Sequence, residues 1–371
     1  MKKILILISV VLLVSCKKMD HYEIAGIVRN IPDNTIISLF EISDNVGSIV
    51  ATDTIINGEF RFEGTLSRRP TKMNLMIPDR LHFAGSCTFW ADHEKIKITG
   101  TDKYLSTWNV SSNLPEQKVT NLFNTKTEAQ MRIIDSLSLT LMADQRNREL
   151  QVSIMHKIDS ISKLMQRDKF EVLKNNINSL TSLNELYQIA EFSSIDKQEI
   201  RTLFEKFDDK WKNTLLGEGI LAKLDKPVPP KIGDKAVDLK LYDINGKSAK
   251  LSDFSGKYIL LDFWSLACYP CILAAPELRE INEVYKDFLT IVGISMDVNP
   301  ELWTQATKRD SITWNNLSDG KGSYAGASSL YGISGMPTYI LISPADTIVE
   351  RWQGFSSGIF KEKLNKYIAL K

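Results

Sequence analysis

Cys268-Tyr269-Pro270-Cys271 carries the clearest chemistry in the chain. Two thiols at this spacing close into a disulfide and reopen by thiolate attack on sulfur. Ahead of them runs Tyr258-Ile259-Leu260-Leu261-Asp262-Phe263-Trp264, nearly all apolar, as in a strand buried on both faces. Behind them Ile272, Ala275, Leu278, Ile281, Tyr285 and Phe288 recur at helical spacing. The pattern predicts strand, loop, helix, with Cys268 at the helix start. A thiolate there faces unpaired backbone N–H groups and the positive end of the helix dipole, which lowers its pKa. Cys271, a turn further on, is expected to be the better buried and to resolve a mixed disulfide on Cys268.

A Cys-x-x-Cys pair is also half of a zinc site, and zinc needs two more ligands. The other cysteines are Cys16 and Cys87, and the histidines, His21, His82, His93 and His156, all lie far upstream. His82, Cys87 and His93 match no metal-binding spacing, so no metal is expected. No cofactor is implied beyond the dithiol itself. Cys87 reads as a small buried hydrophobe. The missing downstream histidine also argues against a Cys-His hydrolase. Formal net charge is +1, with 46 basic and 45 acidic residues, which gives no reason to expect nucleic acid as a partner.

The elements that must position the pair lie in a chain of four parts. Met1-Lys2-Lys3 followed by the apolar run Ile4 to Val14 reads as a secretory signal over residues 1–15. Leu13-Val14-Ser15-Cys16 resembles a bacterial lipobox, which makes Cys16 the expected lipidation site and the membrane anchor. That address implies the oxidising cell envelope of a Gram-negative bacterium. Residues 16–112 read as a β-rich, sandwich-like domain. Its best signal is Thr54-Ile55-Ile56, Asn57-Gly58, Glu59-Phe60-Arg61-Phe62, a hairpin whose Asn-Gly supplies the positive φ values of a tight turn. Residues 113–225 read as a helical segment, with Leu150, Ile154, Ile158, Ile161, Leu164 and Met165 as a packing stripe. It serves as spacer or as the surface of a homodimer. Lys226-Pro227-Val228-Pro229-Pro230 is the linker into a last domain, 226–371.

That last domain resembles thioredoxin, and within it the TlpA/ResA branch. The resemblance rests on Leu261-Asp262-Phe263-Trp264 before Cys268-Tyr269-Pro270-Cys271, on Pro276 inside the following helix, and on Gly335-Met336-Pro337-Thr338-Tyr339. Asp253-Phe254-Ser255-Gly256-Lys257 and Ile291-Val292-Gly293-Ile294-Ser295-Met296-Asp297 extend it. It implies an α/β thioredoxin fold and a thiol–disulfide oxidoreductase. It also implies roles: Asp262 assists deprotonation of Cys271, Trp264 shields the pair, Tyr269 tunes its potential, and Met336, Pro337, Trp264 and Tyr269 form the substrate-binding surface. A cis bond before Pro337 would leave the Met336 backbone to pair with an extended substrate. Ala267 stands where the family usually has Trp, and Ala274 where this branch often has Glu, which leaves acid–base work to Asp262. The implied partners are protein thiols and disulfides, and a membrane electron donor or acceptor upstream. Cytochrome c-type biogenesis is one setting the resemblance suggests. Redox direction is not readable. The competing reading is a binding or scaffold lipoprotein in which the thioredoxin domain is a docking module.

Overall fold

A computed structural model describes residues 20–43, 46–66 and 68–369. The signal segment and Cys16 lie outside the described residues. The chain divides at Ile154/Met155 into two compact units.

The first unit begins with eight strands: β1 (Tyr22–Val28), β2 (Thr35–Ser43), β3 (Val46–Ile55), β4 (Glu59–Gly64), β5 (Thr71–Met76), β6 (Cys87–Ala91), β7 (Lys95–Gly100) and β8 (Asn109–Ser111). They form two four-stranded sheets, β4-β1-β7-β8 and β3-β2-β5-β6. Only β1 and β7, within the first sheet, pair in parallel among the described strand pairs of this unit. Alternate residues of both sheets point into one core, Ile24, Phe60 and Ile98 from one and Leu39, Met73 and Phe89 from the other. Burying each such side chain contributes roughly 1.5–3 kcal/mol. This is the sandwich the alternating pattern predicts. The Asn57-Gly58 turn has φ of 52° and 74°, and a Cβ on Gly58 would come within 2.4 Å of the Val28 carbonyl. Cys87 is buried in this core, and burial alone pushes its thiol up to about 12.

Helix α1 (Pro115–Ala143) starts on a proline, which a first helical turn tolerates because its N–H has no partner there. Its first turns are stitched to the sheets: the buried Gln117 accepts the Trp90 N–H at 2.8 Å, and Asn121 donates to the Val110 carbonyl at 2.8 Å. Helix α2 (Arg148–Leu173) runs across the division between the units. The stretch expected to be helical over 113–225 is helical, and the division between the two units falls within it. Of the expected stripe on α2, Ile154 is buried while Leu164 is exposed.

The second unit continues with α3 (Leu180–Phe192), α4 (Lys197–Phe204), α5 (Asp209–Lys212) and α6 (Leu215–Leu224). Ser179, Asp196 and Thr214 cap α3, α4 and α6 through their side chains. The proline-rich linker follows without regular structure. A short hairpin, β9 (Lys240–Tyr242) and β10 (Ser248–Lys250), then leads to a five-stranded sheet. Its order is β13-β12-β11-β14-β15, from β11 (Tyr258–Trp264), β12 (Leu289–Ser295), β13 (Asn315–Leu317), β14 (Thr338–Ile342) and β15 (Ile348–Gln353). The first three are parallel and the last two antiparallel. Between and after them come α7 (Tyr269–Val284), α8 (Pro300–Arg309), α9 (Ala327–Leu330) and α10 (Ile359–Leu364). One face of the sheet packs Leu260, Tyr339 and Leu341 against α7 and α10. The other packs Leu261, Phe263 and Ile340 against Leu239, Leu241, Ala327 and Tyr331. A central strand covered on both sides explains the unbroken apolar run of β11. This is the thioredoxin-like fold expected at the C-terminus.

Candidate redox site

The loop after β11 delivers Cys268 to the N-cap of α7. Its Sγ accepts the Cys271 N–H at 3.2 Å, and its carbonyl accepts the N–H groups of Cys271 and Ile272. The helix starts on this residue because Pro270, with φ already helical and no N–H to satisfy, fits its first turn. Cys268 and Cys271 form a disulfide with Cα atoms 5.2 Å apart. Burial does not separate the two sulfurs as the helix position alone suggests, since Cys268 is 7% and Cys271 6% exposed. Trp264, Trp303 and Ala306 share their cluster, with Leu266, Ile312 and Met336 packed against it. Trp303 therefore covers the disulfide, a place its sequence position did not reveal.

Asp262 lies two residues before Trp264, on the face of β11 that Leu260 and the α7 layer occupy. It is 3% exposed, and its Oδ1 has no hydrogen-bond partner among the described residues. Burial disfavours the carboxylate and pushes its pKa up to about 7. Its cross-strand neighbours are Gly293 on β12 and Tyr339 on β14. The Tyr339 phenol is held well above its ordinary range, first by burial and then by the nearby Asp262 charge.

Met336 and Pro337 precede β14, joined by a cis peptide bond. Met336 lies ahead of the first ladder residue of β14, Thr338. Thus Cys268, Cys271, Trp264 and Met336 come together in one cluster, with Asp262 behind them in the sheet. Tyr269 instead projects from the first turn of α7 and is 66% exposed. Asp297 and Arg309 also reach the loop before Cys268. Asp297 ended a stretch already singled out, while nothing marked Arg309. No group of residues that could hold a metal occurs among the described residues.

A disulfide at a helix start, beside a five-stranded mixed sheet and in contact with the loop before an antiparallel strand, defines a thioredoxin-like redox domain. Residues 232–351 match the AhpC/TSA family, and the relatives that resemble this C-terminal part include thiol-disulfide oxidoreductases named ResA. The thiol-disulfide oxidoreductase ResA of Bacillus cereus is 27% identical over 154 residues, 41% of this chain and 84% of its own length. That of Oceanobacillus iheyensis is 31% identical over 129 residues, 33% of this chain and 66% of its own. Among solved structures, the thioredoxin domain of a thiol-disulfide oxidoreductase from Bacteroides vulgatus is 31% identical. That match covers 38% of this chain and 99% of that one, with a TM-score of 0.35. A putative thiol:disulfide interchange protein DsbE from Chlorobium tepidum is 30% identical, covering 37% and 94%, with a TM-score of 0.34.

Proposed function

We propose that this chain is a lipid-anchored thiol–disulfide oxidoreductase of a Gram-negative cell envelope, acting on protein partners through Cys268 and Cys271. The observation that carries the reading is the disulfide at the start of α7 with a buried carboxyl, Asp262, on the same side of the sheet. In the reduced form the Cys268 thiolate attacks a partner disulfide, and the partner's leaving sulfur takes up a proton. Asp262 draws the proton from Cys271, which attacks the Cys268 sulfur and releases the partner's second thiol. Two electrons pass to the partner and the disulfide described here re-forms. Read backwards, the same steps oxidise a partner dithiol. A membrane-linked donor or acceptor of dithiol chemistry closes the cycle. Met336, Pro337, Trp264 and Tyr269 are the proposed substrate surface. Met336 supports this by packing on the disulfide cluster while lying outside the β14 ladder.

The test is reduction of insulin by dithiothreitol, with and without the full mature chain. Acceleration is expected. A chain that forms the disulfide but never accelerates exchange would favour the scaffold reading.

The anchor reading rests on Ile4 to Cys16, and no helix among the described residues is long and apolar enough to cross a membrane. The mature protein is expected to label with palmitate in the bacterium. Cys16→Ser should lose the label and accumulate as uncleaved precursor. Normal cleavage of that variant would overturn the anchor. The homodimer reading draws on exposed Val152, Met155 and Leu164 along α2.

A further inference from the structure

The three residues between β11 and Cys268 are Ser265, Leu266 and Ala267. The Leu266 side chain packs against the disulfide cluster, and its backbone is held on both sides as well. The Leu266 N–H lies 3.2 and 3.0 Å from the two carboxylate oxygens of Asp297, just past the end of β12. The Leu266 carbonyl accepts from Arg309 Nη1 at 2.9 Å, at the last turn of α8. Each partner is itself oriented. Ser295 donates to Asp297 Oδ2 at 3.2 Å. Asp310, 5% exposed, takes the other two guanidinium nitrogens of Arg309 at 2.7 and 2.8 Å. Both backbone groups of one residue, in the two peptide units that flank it, are therefore held by charged groups from two other elements. Hydrogen bonds to ionised groups are the strong class, and a forked guanidinium also fixes direction.

We infer that Asp297 and Arg309 are positioning residues for thiol exchange: together they clamp the Leu266 backbone and so hold Cys268 at the N-cap where its sulfur can be met by the Cys271 N–H. The inference rests on the exchange role proposed for Cys268 and Cys271. The argument is geometric. A thiolate gains from an N–H only when the two are aligned, and that alignment is set by the path of the chain entering the helix. The Cys268 N–H also donates back to the Ser265 carbonyl at 3.2 Å. The turn from Ser265 to Cys268 is thus one hydrogen-bonded piece, and the clamp grips its middle.

The charged groups that hydrogen bonds bring to the loop among the described residues are Asp297 after β12 and Arg309, with its partner Asp310, at the end of α8; the titratable Asp262 lies on β11. A role by charge and a role by position predict opposite results. Removing the Asp297 carboxylate removes a negative charge, which by itself favours a nearby thiolate. Losing its grip on Leu266 disfavours the thiolate.

The experiment uses the full mature chain, reduced and then alkylated with iodoacetamide. The rate at Cys268 is followed by peptide mass mapping across pH, in wild type, Asp297→Ala, Asp297→Asn and Arg309→Lys. Asp297→Ala should slow Cys268 about five- to tenfold near neutral pH and move its midpoint upward, the effect expected from misaligning one hydrogen bond to an ionised group. Rates should converge well above the thiol range. Asp297→Asn, which keeps one acceptor for the Leu266 N–H, should recover most of the rate. Arg309→Lys keeps the charge and loses the fork, and should slow Cys268 several-fold. Equal or faster alkylation in Asp297→Ala, or identical behaviour of the Ala and Asn variants, would overturn the clamp. If Arg309→Lys fails to fold because Asp310 is left poorly paired, the Asp297 pair still decides. If wild type itself fails to accelerate insulin reduction, the exchange reading fails; if it succeeds while Asp297→Ala alkylates like wild type, only the clamp fails.

Discussion

Cys268→Ser is expected to abolish insulin reduction, a fall of roughly three orders of magnitude or more, because the attacking sulfur is gone. Cys271→Ser should be equally inactive in turnover yet behave differently in kind. Its Cys268 still attacks a partner, and nothing remains to resolve the bond, so a mixed disulfide accumulates. The position of Cys268 at the N-cap, with its Sγ meeting the Cys271 N–H, is the reason for assigning attack to the first cysteine. Non-reducing gels of envelope extracts from cells expressing each variant provide the measurement. Adducts released by dithiothreitol should appear with Cys271→Ser and be missing with Cys268→Ser. The reverse distribution would exchange the two roles, and adducts with neither would remove the exchange function. The trapped adducts would also identify the partners.

Asp262→Asn keeps the shape of the carboxyl and loses its ability to carry a proton. Exchange should slow roughly ten- to a hundredfold near neutrality, the size of a general acid–base contribution. The deficit should shrink as pH rises, because hydroxide takes over deprotonation of Cys271. Parallel pH–rate profiles of equal height would leave Asp262 without a part in proton transfer. The same residue gives a stability signature with a definite sign. Burial moves its pKa from the ordinary 3.8 to about 7, so between those values the folded chain holds a proton that the unfolded chain has released. Stability from this group therefore falls as pH rises through that interval, and the full cost stands above it. At about 1.4 kcal/mol per unit the cost is about 4 kcal/mol. Asp262→Asn should melt progressively above wild type between about pH 4 and pH 7, with the gap widening as pH increases and levelling off above that interval. A constant gap would mean that Asp262 does not titrate in this range.

The hairpin at Asn57-Gly58 and the strand–loop–helix around Cys268 were legible because their causes are local. Turn chemistry, a period of two and a helical period are written in neighbouring residues. Asp262 was legible from its place in a recognisable run, and its burial followed from the apolar residues on either side. The equal burial of the two cysteines was not legible, because their cover comes from Trp303 and Met336. These are distant in sequence and arrive only when α8 and the loop before β14 are folded onto the site. The grip on Leu266 was hidden for the same reason. Asp297 and Arg309 reach it across separations of 31 and 43 residues, and an acidic residue after a strand or an arginine ending a helix has many ordinary uses. The division of the helical stretch was likewise invisible, since one amphipathic pattern serves whichever neighbour the helix finds.

Cys87 sits in the sandwich core with its thiol pushed up to about 12, and this has a consequence for how the chain matures. An unfolded polypeptide that carries Cys87, Cys268 and Cys271 together can cross-link these three in three ways, only one of which is the pair formed here. The strands around Cys87 belong to the earlier part of the chain, and domains fold as they emerge, N-terminal first. If the chain is exported as proposed, a sandwich completed first would seal Cys87 in its core, where its thiol is too weakly acidic to supply a nucleophile. On the export reading proposed above, early folding of the sandwich would leave the late pair only each other to join.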